Sequence, residues 1–435
     1  MKDFRAYFKN KRVTVMGLGL LGRGVGDVAF LAECGAKLTV TDLKTASQLK
    51  DSLKKLRKYK GIKYVLGKHN LEDFRKADLV LKSAGVPLDS IYIKEARKHK
   101  IPVEMSAAIF AKFSKVPIIG ITGTRGKSTV THLVDHILKS AGKKVILGGN
   151  IRGVSNLQLF KKAKVADVAV FELDSWQLQG FGDYKISPHI AVFTTFFPDH
   201  MVYYGESMKR YFLDKALIFK YQKKNDVLIA GSQAFPFIMK WGGKTKRQII
   251  MPKLANYKVK IPGEHNMYNI ALAVEVAKVM GVSDAVIKKA VENFKGVEGR
   301  MQFVREVAGV KYYNDTTATS PEATIAALRT LYQNRKLILI IGGSDKNLNM
   351  DALVKQISKF CKKVVLLSGT GTDRIKNKIH NKVEAGSMKE AVSKARSFAE
   401  SGDIILLSPA YASFGMFKNE YDRGDKFMAL VKKLK

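Results

Sequence analysis

Cysteine is nearly missing from this chain: Cys34 and Cys361 are the only two in 435 residues. Two thiols cannot build a disulfide framework or a cysteine zinc site, so a reducing cytoplasmic setting is expected. Long hydrophobic runs are missing too. No stretch is apolar enough to span a bilayer. The VTVMGLGLLG segment after the basic N-terminus is interrupted by glycine and reads as strand and loop rather than signal peptide. No membrane partner is expected. Acid is scarce: 38 Asp and Glu stand against 76 Lys and Arg, a formal net charge of +38. That sign favours polyanionic substrates such as nucleotides. The lysines are scattered through every predicted helix rather than gathered in an arm, and no zinc-finger or RNA-binding signature occurs. No nucleic-acid partner is expected.

What is present is ordinary in bulk, with 46% apolar and 26% charged residues, and is long enough for several domains with sizeable cores. The informative stretch is PIIGITGTRGKSTVTHL, Pro117 to Leu133. Pro117–Ile121 reads as a buried strand. Gly120, Gly123 and Gly126 follow at three-residue spacing, then Lys127, Ser128, Thr129 and a helical pattern through Leu138. Strand, glycine loop, Lys-Ser and helix form a phosphate cradle. Glycines let backbone N–H groups approach the phosphates, and the helix N-terminus adds partial positive charge. Lys127 is placed to reach the β/γ-phosphates and Ser128 to ligate Mg²⁺. The spacing differs from the plain Walker form, because Ile121 stands five residues before Gly126 where that form has glycine.

Upstream, the strand Val13–Met16 runs into Gly17-Leu-Gly19-Leu20-Leu21-Gly22. A helix over Val25–Cys34 and a strand over Lys37–Thr41 follow, and Asp42 closes that strand. This is the dinucleotide fingerprint: a tight turn, a close backbone approach, and an acid for a ribose hydroxyl. By itself it leaves a dehydrogenase open. Strands over Tyr64–Leu66 and Leu79–Lys82 and the loop Ser83–Pro87 follow. Gly17–Gly22, Asp42 and Ser83–Gly85 are expected to converge on one nucleotide. Ile101–Met105 reads as a last strand, with a connection from Ser106.

Downstream, Lys144–Leu147, Val165–Leu173 and His189–Phe193 read as strands. Glu172 lies at a strand end, where an acid can hold Mg²⁺. Asp199 and His200 are candidate ligands for a metal or phosphate. Lys215, beside Ala216, Leu217 and Ile218, reads by its neighbours as a snorkelling surface lysine. Asn266 and Asn269 share one helix face and suit a planar base, with helix capping an equal alternative for Asn266. A hairpin is expected over Gln302–Val307 and Val310–Asn314, and buried strands over Leu337–Ile341, Val364–Leu367 and Ile404–Leu407. A helix carrying Phe417, Lys418 and Asn419 follows. Alternating strands and helices imply parallel sheets with ligand loops at the strand ends.

Taken in order, GITGTRGKST, GGN, FELDSWQLQ, DHM, a lysine on the next helix, GEHNMYN, EGRMQ, YYNDTTAT, GGSDKN and SPAYASFGMFKN with a later Arg-Gly resemble the Mur ligases. The match runs along essentially the whole chain, and the ordered set is far more specific than any one motif. GLGLLG with Asp42, and the C-terminal motif, most resemble the members that add D-glutamate.

The resemblance implies an α/β protein of three domains. These are a Rossmann-like nucleotide-binding domain over 1–108, a central P-loop ATPase-like α/β domain over 109–298 and a C-terminal Rossmann-like α/β domain over 299–435. It implies that the first domain takes a UDP sugar rather than NAD, and that the activity is ATP-dependent amide formation through an acyl phosphate. Residue by residue, it implies ATP contacts from Gly123, Thr124, Arg125, Gly126, Lys127, Ser128, Thr129, Asn150, Asn266, Asn269, Arg300 and Asp315. The sugar nucleotide falls to Gly19, Leu20, Leu21, Asp42, Lys44, Ser83 and Gly85, and the amino-acid carboxylates to Lys346 and Ser413. Ser128 and Glu172 match the holders of one Mg²⁺, His200 the ligand of a second, and Lys215 a lysine carbamylated to bridge metals. Lys127, His200 and Lys215 are thus the catalytic candidates, and a monomer is expected.

Four positions depart from the family pattern. Arg125 stands for the usual Asn, Thr317 for a lysine near the acceptor, Gly415 for Asp, and Glu420 for an aromatic residue, with Tyr421 beside it.

Overall fold

The computed structural model describes residues 4–243, 247–254, 257–259, 261, 263–332 and 336–435. Its strands fall into three sheets. The first holds β1 (Arg12–Met16), β2 (Lys37–Asp42), β3 (Lys63–Leu66), β4 (Leu79–Lys82) and β5 (Val103–Glu104), in the order β3-β2-β1-β4-β5, all parallel. The second holds β6 (Ile118–Thr122), β7 (Val145–Gly149), β8 (Val168–Glu172), β9 (Ile190–Phe193), β10 (Val227–Ala230) and β11 (Gln248–Ile250), in the order β11-β10-β9-β6-β8-β7, again all parallel. The third holds β12 (Gln302–Val307), β13 (Val310–Asn314), β14 (Leu337–Gly342), β15 (Cys361–Leu367), β16 (Lys382–Ala385) and β17 (Ile404–Leu407), in the order β12-β13-β17-β14-β15-β16. Only its β12–β13 hairpin is antiparallel.

Parallel strands covered by helices on both faces are apolar along their length. β14 (LILIIG) obeys this, as does β8 (VAVFE) up to its terminal Glu172, with every residue of both buried. Each order contains a point where consecutive connections leave in opposite directions, and ligands in open α/β sheets bind at such points, beyond the strand C-termini.

The chain forms two compact units, one of residues 1–255 and 268–290, the other of 256–267 and 291–435. The first two sheets therefore belong to one body. Its core is continuous: Phe30, on the helix Arg23–Glu33, stacks on Phe160 with centroids 5.7 Å apart, and Phe110 stacks on Phe171 at 5.3 Å.

Several boundaries differ from expectation. The connection read from Ser106 is a helix, Ser106–Phe113. Of Ile101–Met105, only Val103–Glu104 pairs. Val165 is 65% exposed in a short 3₁₀ turn, and its strand starts at Val168. The last helix starts at Glu420 rather than before it. Asn419 caps it, its side chain accepting the N–H groups of Tyr421 and Asp422 at 3.0 Å each, because Asn satisfies orphan N–H groups better from outside a helix than within one.

Candidate active site

The loop after β6 is held in a shape that only glycine allows at two points. Gly123 has φ 139° and Gly126 φ 87°. A Cβ on Gly123 would overlap the Thr194 hydroxyl, and one on Gly126 the Asn269 side-chain oxygen. The loop between β9 and the helix Met208–Lys220 braces it. Thr124 N donates to Thr195 O at 2.7 Å and Arg125 N to Thr195 Oγ1 at 2.9 Å, while the Thr194 and Thr195 hydroxyls donate to Arg125 O. Gly126 ends the loop, and the helix Lys127–Ser140 begins. Lys127 folds back, its Nζ donating to Gly123 O at 3.0 Å and Thr124 O at 3.1 Å. Ser128 is buried, and Thr129 is half-buried in the same first turn. The expected cluster Gly123–Thr129 is thus one continuous cradle at the head of a 14-residue helix.

Lys215 is the main correction to the pattern reading. It does not snorkel: it is 2% exposed, and its Nζ donates to Gly123 O at 2.9 Å. The helix turns it inward, onto the phosphate loop and over the Tyr211 ring, 4.8 Å from the centroid. Burial first, then the Lys127 charge, push its pKa well below the ordinary lysine value, while Asp174, Asp199 and Asp214 oppose the shift.

His200 has the left-handed φ of 55° and packs on Trp176 with ring centroids 4.7 Å apart. Partial desolvation lowers its pKa below the ordinary histidine value. The nearby Asp199 opposes this, and Lys215 and Lys127 add to it. Asp199 also receives Arg125 Nη1 at 3.3 Å. Glu172 ends β8, beside β6, and is buried. Its carbonyl accepts Asn150 N at 2.7 Å, so Asn150 is fixed just beyond β7. Asn266 and Asn269 lie on the helix Glu264–Val279, and both are buried.

In the first sheet, the loops after β1, β2 and β4 meet. Asp42 accepts Gly19 N and Lys44 N, each at 2.9 Å, and Ser83 Oγ donates to Gly17 O at 2.6 Å. Both Asp42 oxygens thereby order the loops; each carboxylate oxygen has a second lone pair for a ligand. Leu20 is exposed, Leu21 and Lys44 half-exposed, and Gly85 exposed at the rim. Lys82, just before Ser83, is buried and donates to Val86 O at 2.9 Å. Burial lowers its pKa to about 8.

In the second unit, β13, β17 and β14 lie side by side, and their C-terminal loops carry Asp315, Ser413 and Lys346. Asp315 is buried, accepting Ser408 Oγ at 2.9 Å and Met301 N at 3.1 Å. Burial raises its pKa to about 7, against these bonds and the Arg300 charge. Arg300 is exposed, Ser413 is buried, and Lys346 Nζ donates to Thr319 O at 3.1 Å. Thr317 N and Oγ1 both donate to Gly299 O, at 3.1 and 2.9 Å.

Sequence reasoning passed over the supports. Thr194 and Thr195 carry no motif of their own, and Asp174 stands only inside FELDSWQLQ. Asp174 makes a capping box with Gln177, whose N–H it accepts at 2.7 Å; the Asp-x-x-Gln spacing is the available signal. Arg423, the arginine of the Arg-Gly pair, is fully buried. It donates to Thr316 O at 2.8 Å, Thr316 Oγ1 at 3.1 Å and Tyr411 O at 3.2 Å, tying the Asp315 loop to the Ser413 loop.

Three family models match the chain. Residues 11–104 match the Mur ligase MurD-like N-terminal domain, 121–251 the Mur ligase middle domain, and 299–411 the Mur ligase glutamate ligase domain. A UDP-N-acetylmuramoylalanine–D-glutamate ligase of Roseiflexus sp. (strain RS-1) is 37% identical over 465 residues, covering 97% of this chain and 98% of that protein. One from Borreliella afzelii (strain PKo) is 36% identical over 450 residues, covering 97% and 98%. In fold, the chain resembles the UDP-N-acetylmuramate-alanine ligase of Thermotoga maritima, with TM-score 0.65 and 19% identity over 97% of this chain and 99% of the other. It also resembles the MurF ligase of Thermotoga maritima solved with ADP, with TM-score 0.61 and 16% identity over 100% and 99%.

Proposed function

The chain belongs to the Mur ligase family, and we propose that it uses ATP to join D-glutamate to UDP-N-acetylmuramoyl-L-alanine, a step of peptidoglycan precursor synthesis. The reading assigns the UDP sugar to 1–108, ATP to 109–298 and the amino acid to 299–435, in the cytoplasm. Among the described residues, no helix is long and apolar enough to cross a membrane. The observation that carries the reading is the convergence of Lys127 and Lys215 on the carbonyl of Gly123, inside the phosphate cradle.

In this reading the cradle N–H groups and Lys127 bind the ATP phosphates and stabilise the phosphoryl group as it passes to the substrate carboxylate. Asn150 lies beside the γ-phosphate, and Asn266 and Asn269 beside the adenine. Arg300 and Asp315 are assigned to ATP by the family resemblance. Lys346 and Ser413 hold the D-glutamate carboxylates while its amine attacks the acyl phosphate and phosphate leaves. Gly19, Leu20, Leu21, Asp42, Lys44, Ser83 and Gly85 hold the sugar nucleotide.

Mg²⁺ fits the donors present. Ser128 and Glu172 offer hard oxygens, and His200, with its lowered pKa, favours the neutral form that can ligate. Among the described residues, no three His, Cys, Asp or Glu side chains gather into a cage, which suits an ion that relies on substrate phosphates and water. Bound there, Mg²⁺ would neutralise the phosphates so that an anionic carboxylate can approach. The neutral amine favoured at Lys215 is also the form that attacks CO₂. The N–C bond forms as one C=O π bond of CO₂ opens, one proton leaves, and the neutral amine becomes an anionic carbamate that could hold Mg²⁺.

The test is phosphate release from ATP and Mg²⁺ with UDP-N-acetylmuramoyl-L-alanine across a panel of amino acids. Release that needs both the sugar nucleotide and D-glutamate is expected. Release with another amino acid would move the acceptor, and none at all would overturn the sugar-nucleotide assignment.

A further inference from the structure

Arg23 is the first residue of the helix Arg23–Glu33 and directly follows the Gly17–Gly22 loop, whose last glycine has φ 84°. Its Nη1 donates to the side-chain oxygen of Asn150, a residue of the second sheet. Its hydrogen-bonded partner is a neutral amide, and Asp27, the carboxylate that feels its charge, bonds to Ser155 and Leu157 instead, although a guanidinium pairs far more strongly with a carboxylate or phosphate. A guanidinium has five N–H donors in a rigid fork, and Asn150 takes one. The cation therefore stands at a helix N-terminus, where an anion is favoured, with donors beyond the one Asn150 uses.

The same helix grips the loop that carries Asn150. Asp27, one turn after Arg23, is buried, and its Oδ1 accepts Ser155 Oγ at 2.6 Å and Leu157 N at 3.3 Å. Gln158 Nε2 donates to Gly26 O at 3.1 Å. A Cβ on Gly26 would overlap Ser155, so the helix lies directly on the loop. Residues 150, 155, 157 and 158 are thus each bonded to the helix.

We propose that Arg23 is a positioning residue that binds the diphosphate of the sugar nucleotide and, through Asn150, couples that binding to the ATP phosphate site. The inference rests on reading the Gly17–Gly22 loop as the sugar-nucleotide site. Coupling of this kind is reciprocal: each ligand tightens the other by the same factor.

The test uses the full chain. Affinity for a non-hydrolysable ATP analogue with Mg²⁺ is measured by calorimetry, with and without saturating UDP-N-acetylmuramoyl-L-alanine. In the unmodified protein the sugar nucleotide is expected to tighten the analogue at least about fivefold. Arg23→Met should weaken sugar-nucleotide binding roughly tenfold and bring the coupling factor close to one. Arg23→Lys keeps a point charge but not the fork. It should recover most of the sugar-nucleotide affinity and none of the coupling, a separation that a merely structural role would not produce. Wild-type coupling in both variants would overturn the inference, as would a factor of one in the unmodified protein despite tight sugar-nucleotide binding. An unmodified protein that does not bind the sugar nucleotide would instead overturn the reading beneath it.

Discussion

Lys127 and Lys215 donate to the same atom, the carbonyl oxygen of Gly123, at 3.0 and 2.9 Å. They come from different helices, one from the helix that the glycine loop starts and one from the helix after β9. Two ammonium charges so placed repel; at about 4 Å and an effective dielectric of 20, a pair of unit charges is worth roughly 4 kcal/mol. Lys215 is the more deeply buried, so the conflict is relieved by lowering its pKa. The carbonyl is fixed because Gly123 adopts φ 139° against Thr194. Loop geometry and lysine chemistry are therefore one feature.

Replacing Lys215 by alanine should abolish turnover. If the site needs a carbamate, formate or acetate at high concentration should restore part of the activity by occupying the vacated space with a carboxylate. The check is turnover against carboxylate concentration, together with Mg²⁺ binding. No rescue alongside unchanged Mg²⁺ binding would leave Lys215 a structural residue.

Replacing Lys127 by alanine should cost at least about a hundredfold in turnover, as loss of a group that stabilises transferring charge does. The thermal midpoint should hardly move, because the helix keeps its buried face of Val130, Leu133, Val134, Ile137 and Leu138. Turnover close to that of the unmodified enzyme would remove the loop from the chemistry.

Gly126→Ala should weaken nucleotide binding and stability together. The left-handed φ of 87° costs a non-glycine residue about 1–2 kcal/mol, and the new methyl would displace the Asn269 amide. A calorimetric titration with ADP and a melting curve read both effects. Unchanged values in both would mean that neither the turn nor Asn269 is constrained.

Some of the buried strands around these sites were legible, whereas β10 (VLIA), buried along its whole length, was not read. β6, β8, β14 and β17 are continuous apolar runs, and the loops at their ends carry the motifs. β16 (KVEA) and β11 (QII) were not legible, because edge strands need little apolar surface. The pattern around Lys215 points to the surface because its neighbours in sequence describe a helix face, whereas it is buried against Gly123, which lies 92 residues away in the chain. Arg423 was visible only as half of the Arg-Gly pair; its buried bracing role was not, because its partner Thr316 is 107 residues distant.

Thr317→Lys tests the departure nearest the acceptor. The backbone bond to Gly299 O survives, and the hydroxyl bond to the same oxygen is lost, at a cost of about 1 kcal/mol. The added cation should lower the KM for the dianionic D-glutamate at least threefold without changing kcat by a similar factor. Equal KM values for both proteins, with the same ranking of acceptors, would show that position 317 does not sense the amino acid.

Asp315 gives the second unit a pH dependence of unusual sign. Burial raises its folded pKa from 3.8 to about 7, so between those values the folded state holds a proton that the unfolded state has released. Stability then falls as pH rises through this window, by up to about 1.4 kcal/mol per pH unit from this group alone. Carboxylates with lowered pKa, such as Asp345 beside Arg374, act in the opposite direction at lower pH, so the informative quantity is a difference. Unfolding free energies of the unmodified protein and Asp315→Asn should be compared from pH 4 to 8. The unmodified protein should lose its advantage, or gain a deficit, as pH approaches 7, while Asp315→Asn lacks that slope. Parallel curves would mean that Asp315 is ionised throughout, held by Ser408, Met301 N and the Arg300 charge more firmly than its burial opposes.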